Sequence, residues 1–230
     1  MNLSAKKLLC SGTLLLALFA LWTGLVQNVD VQTAQNTGTA IGFGTINYWF
    51  HQLTGVHMLI YTITDWLGLV PLVICLVFAV MGAVQWLKRK HLMNVDRDIL
   101  LLGIYYMAVI GGYLVFEIIP INYRPILIDG HLESSYPSST TLLVLSVMPT
   151  LVFQINRRVQ NPHIKNAVCK LSTLFSLTMV IGRLICGVHW FTDIIGAVLF
   201  SMGLFAIYCA AVQIFCDKER SYNGVWRKAS

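Results

Sequence analysis

Charge is scarce in this chain. Only 11% of its 230 residues are Asp, Glu, Lys or Arg, against 57% apolar, and the mean hydropathy is +0.70. So little polar surface cannot coat a soluble globule of this size, which excludes an ordinary soluble enzyme and points to the membrane. Paired cysteine motifs are missing too. Cys10, Cys75, Cys169, Cys186, Cys209 and Cys216 are scattered with no CxxC, so neither a disulfide framework nor a zinc site is expected. There is no P-loop, no GxGxxG fingerprint, no internal repeat and no low-complexity tract. Lysine is absent from His91 to Ile164.

What the chain has in abundance is long apolar runs. A helix of about 20 residues crosses a hydrocarbon core, and lipid offers no partner to an open backbone, so such runs predict helical spans. Six are expected: Leu8 to Val26, Leu67 to Leu87, Ile99 to Ile119, Ser139 to Ile155, Leu171 to Val188 and Ile194 to Phe215. The first follows Lys6 and Lys7 but lacks a small-x-small cleavage pattern, so it is read as a retained span rather than a signal peptide. The expected architecture is therefore all-α and integral to the membrane, a single domain over residues 1–230.

Basic residues orient the six spans. Lys6 and Lys7 precede span one, four basic residues lie between spans two and three, four between four and five, and four follow span six. By the positive-inside bias this places both termini in the cytoplasm, in a tail "DKERSYNGVWRKAS" at the C-terminal end. The formal net charge of +6 is then a topology signal and implies no nucleic-acid partner. Only Arg124 and Arg183 fall on the opposite, outer face.

Each outer arginine sits among polar residues at the mouth of a span. "NYRP" ends in Arg124 and Pro125; "SSYPSSTT" places Pro137, Ser138 and Ser139 at the start of span four; "GRLICGVHWFTD" carries Arg183, His189 and Asp193. Pro and Ser suit a helix start, whose free N–H groups bind anions. Guanidinium forks suit phosphate oxygens. His189 and Asp193 are four apart, so on a helix beginning there they would be neighbours, the carboxylate on one imidazole nitrogen leaving the other as nucleophile or base. Three loops meeting on one face with this set predict a phosphoryl-transfer site. Any one of these residues alone would be read as a snorkelling arginine or a helix cap.

The pattern Arg-Pro, Pro-Ser, then Arg-x5-His-x3-Asp resembles the type 2 phosphatidic acid phosphatase superfamily of membrane lipid-phosphate phosphatases, here Arg124-Pro125, Pro137-Ser138 and Arg183 through His189 to Asp193. The resemblance implies a six-span fold with an outward site. It also implies that His189 attacks phosphorus to give a phosphohistidine, that Asp193 orients it, and that Arg124, Ser138, Ser139 and Arg183 hold the phosphate. No metal and no other cofactor is implied. The partners implied are a lipid phosphate substrate and membrane lipids, in a multi-pass protein of the cell membrane.

Three positions depart from the family pattern. Glu117 stands where the first motif opens with lysine, Ser139 where the second has glycine, and Thr140 where it has the histidine that protonates the leaving group. Threonine cannot act as an acid near neutral pH. An alkoxide is about as basic as hydroxide (water pKa ~15.7) and needs an acid to leave. A phosphate leaving group, with its second pKa near ~6, needs little help. The expected substrate is accordingly a prenyl diphosphate, such as an undecaprenyl carrier, rather than phosphatidate. His131 in the same outer loop is a candidate replacement acid, and Glu117 is either a salt-bridge partner of Arg124 or a weakening of anion affinity. The alternative is a pseudoenzyme that binds or flips a lipid phosphate; a transporter fits less well, because the charges cluster at span ends rather than at the midplane.

Between spans one and two, "TAIGFGTINYWFHQLTGVHMLIYTITDW" lacks Lys and Arg and carries Tyr48, Trp49, Phe50, Tyr61 and Trp66, which predicts an outer segment in the membrane interface. His51 and His57 are read as interfacial rather than metal ligands. Gly103, Gly111, Gly112, Gly196 and Gly203 are read as close-packing positions.

Overall fold

The computed structural model describes residues 3–34 and 37–216. The basic C-terminal tail lies outside the described residues. Helix α1 (Leu3–Asn28) leads through a two-strand hairpin, β1 (Gln32–Thr33) against β2 (Ala40–Ile41), into α2 (Gly44–Thr54) and α3 (Met58–Leu67). There follow α4 (Leu69–Arg89), a single 3-10 turn at Leu92–Asn94, α5 (Arg97–Ile118), α6 (Ser139–Arg158), α7 (Pro162–Ile185) and α8 (Phe191–Phe215). Among the described residues, six helical stretches are long and apolar enough to cross a membrane, in the expected order.

The second of them is longer than expected. Gly68 keeps right-handed helical angles and its N–H bonds back to Thr64 and Asp65, so α3 runs on into α4 and the stretch spans Met58–Arg89. Only α2 therefore remains as a separate helix in the segment read as interfacial. α2 does leave Ile46, Trp49 and Leu53 exposed. Span five also ends earlier than expected, at Ile185, which frees the next five residues to form a turn into α8.

α6 and α8 form the enclosed centre. Leu142 of α6 and Ala197, Tyr208 and Val212 of α8 pack with Phe78, Leu102, Tyr105 and Val109 of α4 and α5. Polar groups inside this core are paired, as a low-dielectric interior requires. The Tyr105 hydroxyl donates to the Ser146 carbonyl at 3.0 Å, and Gln154 Nε2 donates to the Tyr208 hydroxyl at 2.7 Å. α1 lies along α8 at close range, because a Cβ on Gly12 would stand 2.9 Å from the Gly203 carbonyl oxygen. Gly112 and Gly196 are likewise close-packed, against Phe200 and Tyr136, whereas Gly103 and Gly111 face open space and do not serve the packing expected of them.

One end of the bundle is tied by ion pairs. Arg158, at the end of α6, binds Asp98 at 2.8 Å and Asp96 at 3.3 Å, and Arg89 binds Asp96 at 2.9 Å, which clamps the α4–α5 connection. The other end holds the long α5–α6 connection, folded as a loose hairpin. Arg124 N–H donates to the Glu133 carbonyl at 3.0 Å and Ser135 N–H to the Asn122 carbonyl at 2.9 Å. That pairing brings residues nine and thirteen positions apart side by side.

Candidate active site

At the hairpin end, three segments converge: the α5–α6 hairpin, the start of α6, and the turn from α7 to α8. The turn is set by Gly187, whose φ of +73° and whose approach to the Gly55 carbonyl leave no room for a Cβ. It delivers His189 into the interior, 4% exposed. α8 begins two residues later, so His189 and Asp193 do not share a helix as the four-residue spacing suggests. Asp193 caps that helix instead: Oδ2 accepts from Trp190 N–H at 2.9 Å and Oδ1 from Asn122 Nδ2 at 3.2 Å. Its Oδ2 lies 3.7 Å from His189 Nδ1, in ion-pair range but beyond a hydrogen bond.

The nearer partner of His189 Nδ1 is the Ser135 carbonyl at 3.2 Å. Both neighbours of Nδ1 accept only, so the proton resides there and Nε2 keeps its lone pair. Nε2 is buried and has no hydrogen-bond partner among the described residues. Burial lowers the imidazole pKa from 6.5 to about 4; Asp193 opposes this and the Arg124 and Arg183 guanidiniums add to it. The ring is neutral at neutral pH and its free nitrogen is available to an electrophile.

Both outer arginines are drawn into this region. Each guanidinium lies over the same Tyr61 ring, Arg124 at 5.7 Å and Arg183 at 4.9 Å from its centroid. Arg124 Nε stands 2.9 Å from Glu133 Oε2, while its Nη1 is buried without a hydrogen-bond partner among the described residues. Arg183 is 1% exposed; its Nη2 donates to Asp65 Oδ1 at 2.8 Å and to Thr140 Oγ1, while its Nε and Nη1 have no hydrogen-bond partner among the described residues. A cavity of about 220 Å³ is lined by His189, Arg124, Glu117, Ser139, Ser135 and Glu133, among others. Arg183 does not line this cavity; Arg124 does, beside the neutral imidazole, and the two guanidiniums meet at Tyr61, so the region as a whole suits an anion.

The remaining expected residues fall as follows. Ser139 lines the cavity, but the Ser138 hydroxyl is tied to Thr141 Oγ1 at 3.1 Å and is fully buried. Glu117 reaches the cavity wall but is not the ion-pair partner of Arg124; its Oε2 accepts from Ser134 Oγ at 2.7 Å, and Glu133, presented by the hairpin, takes the arginine. His131 sits in an exposed turn, bonded through its backbone to Ile128, and does not line the cavity. Two residues that the sequence reading did not single out belong here, Asp65 and Glu133, together with Tyr61, which it had placed in the interfacial aromatic set. Asp65 had a signal, being the sole acidic residue between Asp30 and Asp96 in a strongly apolar stretch.

Comparisons with known proteins bear on the family and the fold. The profile of the PAP2 superfamily matches residues 72–215. Among solved structures, the fold is similar to that of a transmembrane PAP2-type phosphatidylglycerolphosphate phosphatase from Bacillus subtilis, at a TM-score of 0.58 and 16% identity over 87% of this chain and 94% of that one. No curated protein sequence matches.

Proposed function

The chain belongs to the PAP2 superfamily, and from that premise we propose that it is a membrane lipid-phosphate phosphatase acting on a prenyl diphosphate. The observation that carries the reading is the unpartnered Nε2 of neutral His189 in one cavity with Arg124, whose guanidinium shares the Tyr61 ring with that of Arg183, both arginines having vacant donors. In the proposed reaction Nε2 attacks the terminal phosphorus as its bond to the bridging oxygen breaks, giving a phosphohistidine and a prenyl monophosphate. Water then attacks the phosphohistidine, releasing inorganic phosphate and restoring the imidazole.

Arg124 and Arg183 hold the non-bridging oxygens, with the backbone N–H groups at the start of α6, beside Ser138 and Ser139, completing the cradle. Asp193 acts at one remove. It fixes the start of α8 and the Asn122 amide, and supplies a negative field near Nδ1. Thr140 contacts Arg183, so no imidazole stands at that position to protonate a leaving group. This supports a diphosphate, whose departing phosphate has a second pKa near ~6 and needs little protonation.

The site is placed on the outer face of the cell membrane, with both termini inside. The basic residues at the ends of α4 and α6 and the starts of α5 and α7 support this orientation, since they gather opposite the site.

Phosphate release by the purified protein in detergent tests the reading, comparing wild type with His189→Ala on prenyl diphosphate, prenyl monophosphate and phosphatidate. Release from the diphosphate above the others, abolished by the substitution, is the expected result. A preference for the monophosphate overturns the substrate assignment; binding of lipid phosphate with no release from any substrate overturns the enzyme.

A further inference from the structure

Arg183 is the most buried cation of the site, yet its partner is not buried. The Asp65 side chain is 58% exposed while the guanidinium it binds is 1% exposed. The carboxylate lies at the surface of the bundle and can swing away without unpacking the interior, so it is the mobile member of the pair, whereas the buried guanidinium it leaves needs another anion in its place. Covalent geometry adds a second constraint. Nη2 belongs to both forks of a guanidinium, the one it shares with Nε and the one it shares with Nη1, and its two hydrogens go to Asp65 and Thr140. Nε and Nη1 are vacant, but two-pronged capture of a phosphate also needs Nη2. A bidentate ligand must displace Asp65 or Thr140, and Asp65 is the one facing outward.

The place of Asp65 in the cavity system fits that exchange. A second, larger cavity of about 460 Å³ is walled by Leu69, Leu72, Val109, Ile110 and Leu114, and Asp65 and Thr140 stand in its lining. Tyr113 and Ser139 line both this apolar groove and the polar cavity of His189. A chain lying in the groove would bring its headgroup past Asp65. Arg124 repeats the arrangement with Glu133, whose side chain is 42% exposed.

We propose that Asp65 is a displaceable counter-anion that occupies Arg183 until a terminal phosphate takes its place, and that it thereby excludes the phosphodiester headgroups of bulk lipid. Resting on the phosphatase reading above, this names the selectivity of the same site. A phosphodiester carries one negative charge and exchanging it for a carboxylate gains no Coulombic attraction. A terminal phosphate carries about −1.5 to −2 near pH 7, with three terminal oxygens, and wins the guanidinium. Without the resident carboxylate, an arginine at headgroup level would be occupied by the commonest lipids around it.

The test measures binding of inorganic phosphate and of dimethyl phosphate, a soluble phosphodiester, to the full-length protein in a phosphate-free detergent by calorimetry. Asp65→Asn is expected to bind inorganic phosphate roughly threefold or more tightly than wild type, because no resident carboxylate has to be displaced. It is also expected to acquire affinity for dimethyl phosphate, so that the preference between the two anions falls. Asp65→Ser is measured alongside should the amide disturb the fold, and Asp65→Glu should keep the wild-type preference. Unchanged or weaker phosphate binding in both neutral variants overturns the proposal and makes Asp65 a support for Arg183. Phosphate binding in wild type that survives Arg183→Ala removes the phosphatase site itself, a failure distinct from the first.

Discussion

Protonation of His189 is the most exacting test of how the site is built. In the unfolded chain the imidazole titrates near 6.5; in the fold it titrates at about 4, chiefly because it is buried. Above pH 6.5 neither state holds the proton, and this group adds no pH dependence. As pH falls from 6.5 to 4 the unfolded chain binds a proton that the folded protein refuses, so stability declines; below 4 both states hold it and the decline stops. At 1.36 kcal/mol per pH interval the full loss is roughly 3 kcal/mol. Apparent unfolding temperature in detergent, measured from pH 7.5 to 4 for wild type and His189→Asn, isolates this contribution, since the carboxylates titrate alike in both. The wild-type curve should fall more steeply between 6.5 and 4. In parallel, kcat at saturating substrate should show no acid limb at 6.5, because Nε2 keeps its lone pair well below that pH, whereas kcat/KM would also follow the substrate's own phosphate. Parallel stability curves together with an activity limb near 6.5 would falsify a buried, neutral nucleophile.

Two glycine comparisons probe the frame around the site. Gly187→Ala puts a Cβ 2.0 Å from the Gly55 carbonyl oxygen at a φ of +73°, so the turn carrying His189 must move. We expect both a loss of stability of roughly 2 kcal/mol or more, read as a lower unfolding temperature, and a collapse of turnover that phosphate-release assays would register. Gly111 and Gly112 are adjacent but differ in surroundings: a Cβ on the first meets nothing within 4 Å, and one on the second lies 2.4 Å from the Phe200 ring. Thermal unfolding should be nearly unchanged in Gly111→Ala and should fall by about 1–3 kcal/mol in Gly112→Ala.

The chain's spans were legible because hydrocarbon imposes length and composition on any helix that crosses it, and the basic residues mark one set of ends. Arg124, Arg183 and His189 were legible because three short polar patches interrupt apolar sequence at matching span ends. Their partners were not. A salt bridge from Glu117 to Arg124 was one of two open readings, but the backbone pairing of the hairpin puts Glu133 there, and no local pattern announces that pairing. The four-residue interval between His189 and Asp193 suggested a shared helical face, yet the helix begins between them and the carboxylate faces the helix start. Tyr61 and Asp65 reach the arginines only because α3 packs closely on α7, where a Cβ on Gly182 would lie 2.7 Å from Thr64. Such proximity between distant segments is a property of packing, which no periodicity records.

The continuity of α3 with α4 ties the site to the thickness of the host bilayer. The 21 residues of α4 measure about 32 Å, close to the ~30 Å of an average hydrocarbon core, so the 10 residues of α3 project beyond it. Asp65 sits within a single helical turn of that boundary. In a thicker bilayer the acyl region rises around Asp65 and the pair with Arg183 loses its water; in a thinner one the carboxylate stands clear among headgroups. Lipid chain length thus becomes a control on how readily the arginine is released, and turnover in nanodiscs of graded acyl length should track it.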